Sequence, residues 1–173
     1  MAKYQQLYPA CFYHIYNRGN NGEKIVCAER NYAYFLTLYD KYIGPAADTF
    51  CYCLLPNHFH FLVRFNEHNV PNDDFSLRAS RAFSGFFSIY TKSFNKANKR
   101  SGSLFEKPFK RKIIEKNSYL IQLMMYIHRN PQKHGLINDF RAWKYSSYQA
   151  IIGESPTRIQ RSEVLEWFGG RVG

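Results

Sequence analysis

The distribution of apolar positions along the chain predicts four strands and three long helices. Residues that favour β-structure are concentrated in four short segments, 11–17, 51–55, 57–63 and 109–115. Apolar residues recur at helical spacing in three longer segments, 32–43, 75–96 and 117–130. Asn117 is a good N-cap residue, and a helix is expected to end at Asn130-Pro131. The polar segment 67–74 predicts a loop.

The order of these elements is strand, helix, two strands, helix, strand, helix. This order is typical of a ferredoxin-like α+β sandwich, in which helices cover one face of an antiparallel sheet. Two more segments, 146–152 and 162–168, each predict a short helix. No repeat or linker divides the 173 residues. We therefore expect a single domain over residues 1–173, with a short helical extension from about residue 140.

Two histidines, His58 and His60, are separated by one residue in the third predicted strand. Alternate side chains of a strand point to the same face, so the two imidazoles stand side by side while Phe59 and Phe61 point the other way. Such a pair can hold a divalent metal ion. It can equally consist of ordinary strand histidines, because two ligands do not complete a metal site.

The chain is basic, with 24 Lys and Arg residues against 13 Asp and Glu residues and a net charge of +11. Between Lys92 and Lys116 nine basic residues face only two acidic ones, a local net charge of +7, and phenylalanines are interleaved with them. Basic and aromatic side chains together favour single-stranded nucleic acid over a solvated basic face or an anionic membrane. The candidate contacts are Arg18, Lys99, Arg100, Lys107, Lys110, Arg111 and Lys112.

The sequence indicates a cytoplasmic protein without a membrane segment. No N-terminal stretch has the pattern of a signal peptide, and none has the roughly 18 apolar residues of a membrane span. The four cysteines form no C-x-x-C pair and are expected to be reduced.

The third predicted helix carries a second candidate group. Tyr126 and Asn130 are four residues apart and therefore share a face. A tyrosine hydroxyl is a poor nucleophile unless its proton is removed or its target is polarised. A metal ion on His58 and His60, with Asn130 as third ligand, could polarise a phosphodiester in front of Tyr126. A helical tyrosine can also be a simple amphipathic edge of the core.

Several motifs of the chain together resemble those of a known family. His58-Phe59-His60 is similar to the His-hydrophobic-His signature of the HUH endonucleases. Three blocks in family order resemble the single-tyrosine transposases, namely YHIYNRG at 13–19, LLPNHFH at 54–60 and YIHRNP at 126–131. A fourth block, WKYSSY at 143–148, resembles the tail of the REP-associated tyrosine transposases, which are the most similar branch.

The resemblance implies an enzyme that cleaves and rejoins single-stranded DNA beside small hairpins and uses Mg²⁺ or Mn²⁺. Tyr126 would attack the phosphate and leave a 5′-phosphotyrosine and a free 3′-OH. His58, His60 and Asn130 would hold the metal; the family often has glutamine at the last position, and asparagine fits the REP-associated branch. The protein would act as a monomer or homodimer and associate with the nucleoid when it is bound to DNA.

Two other functions remain open. A transposase descendant could bind hairpins without cutting them, or the histidines could support a metallohydrolase that activates water. The second is disfavoured because no carboxylate accompanies the histidines in the sequence. Of the other histidines, we expect His14, His128 and His134 to have structural or surface roles.

Overall fold

Four antiparallel strands form one sheet in the order β2-β3-β1-β4 in the computed structural model, which describes residues 5–66 and 72–170. The strands are β1 (Phe12–Arg18), β2 (Ala47–Leu54), β3 (His58–Phe65) and β4 (Lys110–Ile114). In this register Tyr16 of β1 pairs with His60 of β3, while Cys53 of β2 pairs with the same residue from the other side. His60 therefore lies on a central strand.

Helices α1 (Glu29–Ile43) and α2 (Asn72–Ala97) cover one face of the sheet. The odd-numbered residues of β3, Phe59, Phe61 and Val63, point toward these helices and are fully buried. The α+β class with an antiparallel sheet is confirmed, and its two crossover helices lie on one side as predicted. The predicted loop at 67–74 is wrong over its last three residues, where α2 has already begun, and its residues 67–71 lie outside the described part of the chain.

The third helix, α3 (Asn117–Lys133), packs on the opposite face, which corrects the prediction that helices cover one face only. Its apolar residues Leu120, Leu123, Met124 and Ile127, which recur at the helical spacing noted for segment 117–130, form a second core with sheet residues such as Leu62. The sequence of β3 explains why helices cover both faces of the sheet. Phe61-Leu62-Val63 is an uninterrupted apolar run, and a strand that is buried on both faces has such a run instead of an alternation.

The predicted start of α3 near Asn117 is confirmed, but the capping role of Asn117 and the predicted end at Asn130-Pro131 are wrong. The N-cap residue is Lys116, which makes no capping bond with its side chain, and the helix continues through Asn130 and Pro131 to Lys133. Proline removes only its own backbone donor, and the turn goes on because the amide of His134 donates to the carbonyl of Asn130 at 2.9 Å. Residues 117–133 thus form one helix across the candidate site.

The tail segment 143–147 covers the free edge of β2. The amide of Leu54 donates to the carbonyl of Tyr145 at 2.9 Å, and the amide of Ser147 donates to the carbonyl of Tyr52 at 3.0 Å. The Tyr145 ring also stacks on Tyr32 of α1 at 3.5 Å between centroids. Edge strands expose unpaired backbone groups, and this segment pairs them.

Two short helices follow the tail segment, α4 (Tyr148–Ile152) and α5 (Arg161–Trp167). Their buried residues Ile151 and Val164 join the core beneath α3. The two predicted short helices are therefore confirmed. The extent of the domain, 1–173 with an extension from about residue 140, stays a prediction.

Candidate active site

The two strand histidines and the helix tyrosine meet on the face of the sheet that α3 covers. The rings of His58 and His60 are 5.2 Å apart between centroids, and the ring of Tyr126 lies 5.6 Å from that of His60. The histidines come from β3 and the tyrosine from a helix more than sixty residues later in the chain. The structure thus brings these three predicted residues together.

Asn130 lies one helical turn after Tyr126, and only 1% of its surface is exposed. Its Nδ2 donates to the carbonyl oxygen of Tyr126 at 3.0 Å, and this bond fixes the orientation of the amide. Its Oδ1 is buried and has no donor at hydrogen-bonding geometry among the described residues, although the side chain lies close enough to His58 to raise the pKa of that ring. A buried amide oxygen without a donor is costly unless a ligand satisfies it.

His58 and His60 each contact a neighbouring side chain through Nδ1. His58 Nδ1 lies 2.7 Å from Asn57 Oδ1, and His60 Nδ1 lies 2.9 Å from His14 Nε2. Burial lowers the pKa of His58 to about 4, with a further contribution from His134, while the Asn130 side chain opposes the lowering. Burial and the neighbouring His14 lower the pKa of His60 to about 2. Both rings are therefore neutral at pH 7, as metal ligation requires.

These residues fit a divalent cation. Within residues 5–66 and 72–170 no three His, Cys, Asp or Glu side chains are grouped as metal ligands. The buried amide oxygen of Asn130 would be the third ligand, next to the neutral rings of His58 and His60. Water and phosphate oxygens would complete the shell.

A cation lies next to the candidate nucleophile. The Nζ of Lys133 is 5.4 Å from the centroid of the Tyr126 ring, and 42% of the tyrosine surface is exposed. A positive charge at this place attracts a phosphate to the part of α3 that carries Tyr126. The sequence analysis missed Lys133, although its spacing of seven residues from Tyr126 puts both on one side of the helix.

Two further residues line the cavity beside His58 and His60, which has a volume of about 390 Å³. The sequence analysis gave Glu106 no role and expected a structural or surface role for His134. His134 lies with its ring 4.9 Å from that of His58, and its position four residues after Asn130 was an available signal. Glu106 comes from the loop before β4, whose backbone bonds to the end of β1, and no sequence pattern predicts this. Contrary to expectation, a carboxylate does accompany the histidines.

The candidate DNA contacts are distributed unevenly. Arg18 and Lys110 line the cavity with the histidines, and both form ion pairs with Glu106. Lys107 lines an adjoining cavity of about 580 Å³ that shares Tyr16 and Glu106 with the first.

The other four candidates do not line the cavity beside the histidines, although Arg111 lines the adjoining cavity together with Lys107. Lys112 faces the ring of Tyr119 at 5.1 Å, and Lys99 lies in the turn after α2. Arg111 donates to Ser80 Oγ at 2.7 Å, on the side of α2. Arg100 is engaged within the protein and binds the side chains of Glu23 and Asn95 and the carbonyl of Ser103.

The fold and the site define an α+β domain in which a paired-histidine strand faces a tyrosine on a helix. No family model matches the chain. A protein of Haemophilus influenzae named as a REP-associated tyrosine transposase is 27% identical over 110 residues, which cover 61% of this chain and 61% of that protein. The chain thus spans about three fifths of that relative's length. The match confirms the resemblance to the REP-associated tyrosine transposases.

A solved structure is similar to this chain in its fold. It is a REP-associated tyrosine transposase bound to a REP hairpin, with a TM-score of 0.66 and 17% sequence identity. The superposition covers 88% of this chain and 86% of the other. In addition, no helix within the described ranges, 5–66 and 72–170, is long and apolar enough to cross a membrane.

Proposed function

We propose that this protein is a transposase that binds hairpin DNA and cleaves and rejoins the adjacent single strand through Tyr126. The observation that carries the proposal is the position of the Tyr126 ring, 5.6 Å from that of His60 and on the same side of the sheet as His58. The names of the two relatives support a transposase and a hairpin as its ligand.

The chemistry is assigned to residues of this chain. The Tyr126 oxygen attacks the scissile phosphorus, the bond from phosphorus to the 3′ oxygen breaks, and a 5′-phosphotyrosine and a free 3′-OH remain. His58, His60 and Asn130 hold Mg²⁺ or Mn²⁺, which supplies charge neutralisation at the phosphate. Lys133, beside the Tyr126 ring, and Arg18 and Lys110, which line the cavity, attract the phosphate and stabilise its charge during the attack. A 3′-OH later attacks the phosphotyrosine and rejoins the strands.

The basic surface is proposed to hold the unpaired strand. Arg18, Lys107 and Lys110 line two adjoining cavities, which suit a polyanion. We place the protein in the cytoplasm, on nucleoid DNA, as a monomer or a homodimer.

A covalent adduct is the decisive measurement. The protein is incubated with a single-stranded DNA hairpin bearing short flanks and Mn²⁺, and adducts are resolved on a denaturing gel. Tyr126→Phe should abolish the adduct, and the loss of one exposed hydroxyl should leave hairpin affinity within about twofold.

Tyr119→Phe is the matched control, because Tyr119 is also exposed, lies on α3 and has Lys112 at 5.1 Å from its ring. This variant should form the adduct normally. An adduct that persists in Tyr126→Phe would refute the assignment of the nucleophile. Tight hairpin binding with no adduct in any metal would identify a DNA-binding protein without cleavage activity.

A further inference from the structure

His14 and His60 form a buried pair on neighbouring strands. In the register of β1 and β3, Tyr16 lies opposite His60, so His14 is its diagonal neighbour on the same face. The two rings are 5.1 Å apart between centroids and inclined by 28°, with His14 Nε2 2.9 Å from His60 Nδ1. Only 8% of His14 and 6% of His60 is exposed, and the Tyr16 ring stacks on His14 at 4.6 Å. The relative position of the two rings is therefore fixed by the sheet.

A hydrogen bond between two neutral imidazoles needs one donor and one acceptor. If His14 donates from Nε2, then His60 accepts at Nδ1 and carries its own proton on Nε2, where it can bind no metal. If His60 donates from Nδ1, its Nε2 keeps a free lone pair. The choice between these two tautomers decides whether His60 can be a ligand.

The second histidine of the site shows the arrangement that a ligand needs. His58 Nδ1 lies 2.7 Å from Asn57 Oδ1, which can only accept, so His58 donates from Nδ1 and keeps its Nε2 lone pair. If His60 likewise donates from Nδ1, to His14 Nε2, both strand histidines present Nε2 to one ion.

We propose that His14 is a positioning residue that accepts the Nδ1 proton of His60 and so selects the tautomer whose Nε2 can bind the metal. His14 does not bind the ion itself, because its Nε2 is already used by His60. This inference rests on the proposed metal site but not on strand cleavage. It makes the first strand, and not only the His-x-His motif, part of the metal centre.

The test compares His14→Gln with His14→Leu. Glutamine can place an acceptor oxygen near the position of the imidazole Nε2, whereas leucine fills a similar space without an acceptor. Mn²⁺ affinity is measured without DNA, by titration and by electron paramagnetic resonance of the free ion. We expect His14→Leu to bind Mn²⁺ about 10- to 100-fold more weakly, as loss of such partners usually does, and His14→Gln to remain within about threefold of the natural protein.

Equal losses in the two variants would overturn the proposal, since they would mean that the ring itself is a ligand. Affinity that is unchanged in both, or natural protein that binds no Mn²⁺, would overturn it as well. These results are independent of the adduct assay, which reports on Tyr126.

A measurement on the unmodified protein decides the question even if the leucine variant fails to fold. Long-range ¹H–¹⁵N spectra of histidine side chains distinguish the two neutral tautomers directly. We expect the metal-free protein to show His60 protonated on Nδ1. A His60 ring that is protonated on Nε2 would refute the inference.

Discussion

The hydroxyl of Ser147 links the tail segment to both β2 and α3. Ser147 is fully buried, and its Oγ accepts from the amide of Tyr52 at 2.8 Å and lies 2.8 Å from His128 Nε2. A third, longer contact of 3.3 Å runs to the Tyr52 carbonyl. His128 lies on α3 between Tyr126 and Asn130, so this hydroxyl helps to fix the helix on the sheet.

Replacement of Ser147 by alanine leaves two buried groups without a partner, the Tyr52 amide and the His128 ring nitrogen. An unpaired buried polar group costs about 1–3 kcal/mol, and about 1.5 kcal/mol for each predicts a loss of about 3 kcal/mol in the free energy of unfolding. The longer contact to the Tyr52 carbonyl adds little. A loss of this size is a large fraction of the stability of a typical domain but does not unfold it.

Equilibrium unfolding in urea at pH 7.5, followed by tryptophan fluorescence and circular dichroism, measures this loss. With a slope of about 2 kcal/mol per molar urea, the midpoint should fall by about 1.5 M. Ser88→Ala is the control, because Ser88 is exposed on α2 and makes no side-chain hydrogen bond within the described residues. It should change stability by less than about 0.5 kcal/mol. A midpoint in Ser147→Ala as close to the natural value as that of the control would refute the reasoning.

Two more predictions concern charge at the active site. Glu106→Gln frees Arg18 and Lys110 from their ion pairs, so it should tighten hairpin binding and steepen the salt dependence by about one phosphate contact. Fluorescence anisotropy over a range of NaCl concentrations measures both, and Glu115→Gln, the same charge change at an exposed position after β4, should have a smaller effect. If Glu106→Gln and Glu115→Gln change hairpin affinity and its salt dependence equally, the ion pairs of Glu106 do not restrain DNA binding and the prediction is wrong. Lys133→Met should slow adduct formation about tenfold at saturating DNA, because it removes the cation beside the Tyr126 ring. Rapid-quench kinetics would contradict this if the rate stayed the same.

The parts of the site that are predictable from sequence are those set by local periodicity. His58 and His60 share a face because strand side chains alternate, and Tyr126 and Asn130 share one because a helix turns every 3.6 residues. The element order was sufficient to predict the antiparallel α+β sheet. Neither the partner of His60 nor the position of Glu106 follows from such rules. Both depend on which strands are neighbours and in which register, and packing of the whole sheet decides that.

The wrong predictions of the cap and the end of α3 also arise because packing outweighs local sequence rules. Asn117 has the side chain of a cap and Pro131 that of a terminator, yet Asn117 is the first residue within α3 and Pro131 lies inside the helix. Local propensities amount to about 1 kcal/mol at a cap, whereas burial of Leu123 and Ile127 contributes about 1.5–3 kcal/mol each. The larger contribution decides where the helix lies.

The proposed metal ligand and the proposed nucleophile on α3 differ in their exposure to solvent. Asn130 is 1% exposed and faces His58 beneath the helix, while Tyr126, one turn earlier, is 42% exposed at its edge. A metal ligand benefits from a dry, rigid position, because an amide oxygen without competing water is free to bind the ion. A nucleophile that attacks a DNA strand must instead be reachable from solvent. One helix satisfies both requirements because Asn130 is buried against the sheet while Tyr126 is exposed to solvent, so a change that shifts α3 should impair metal binding and strand cleavage together.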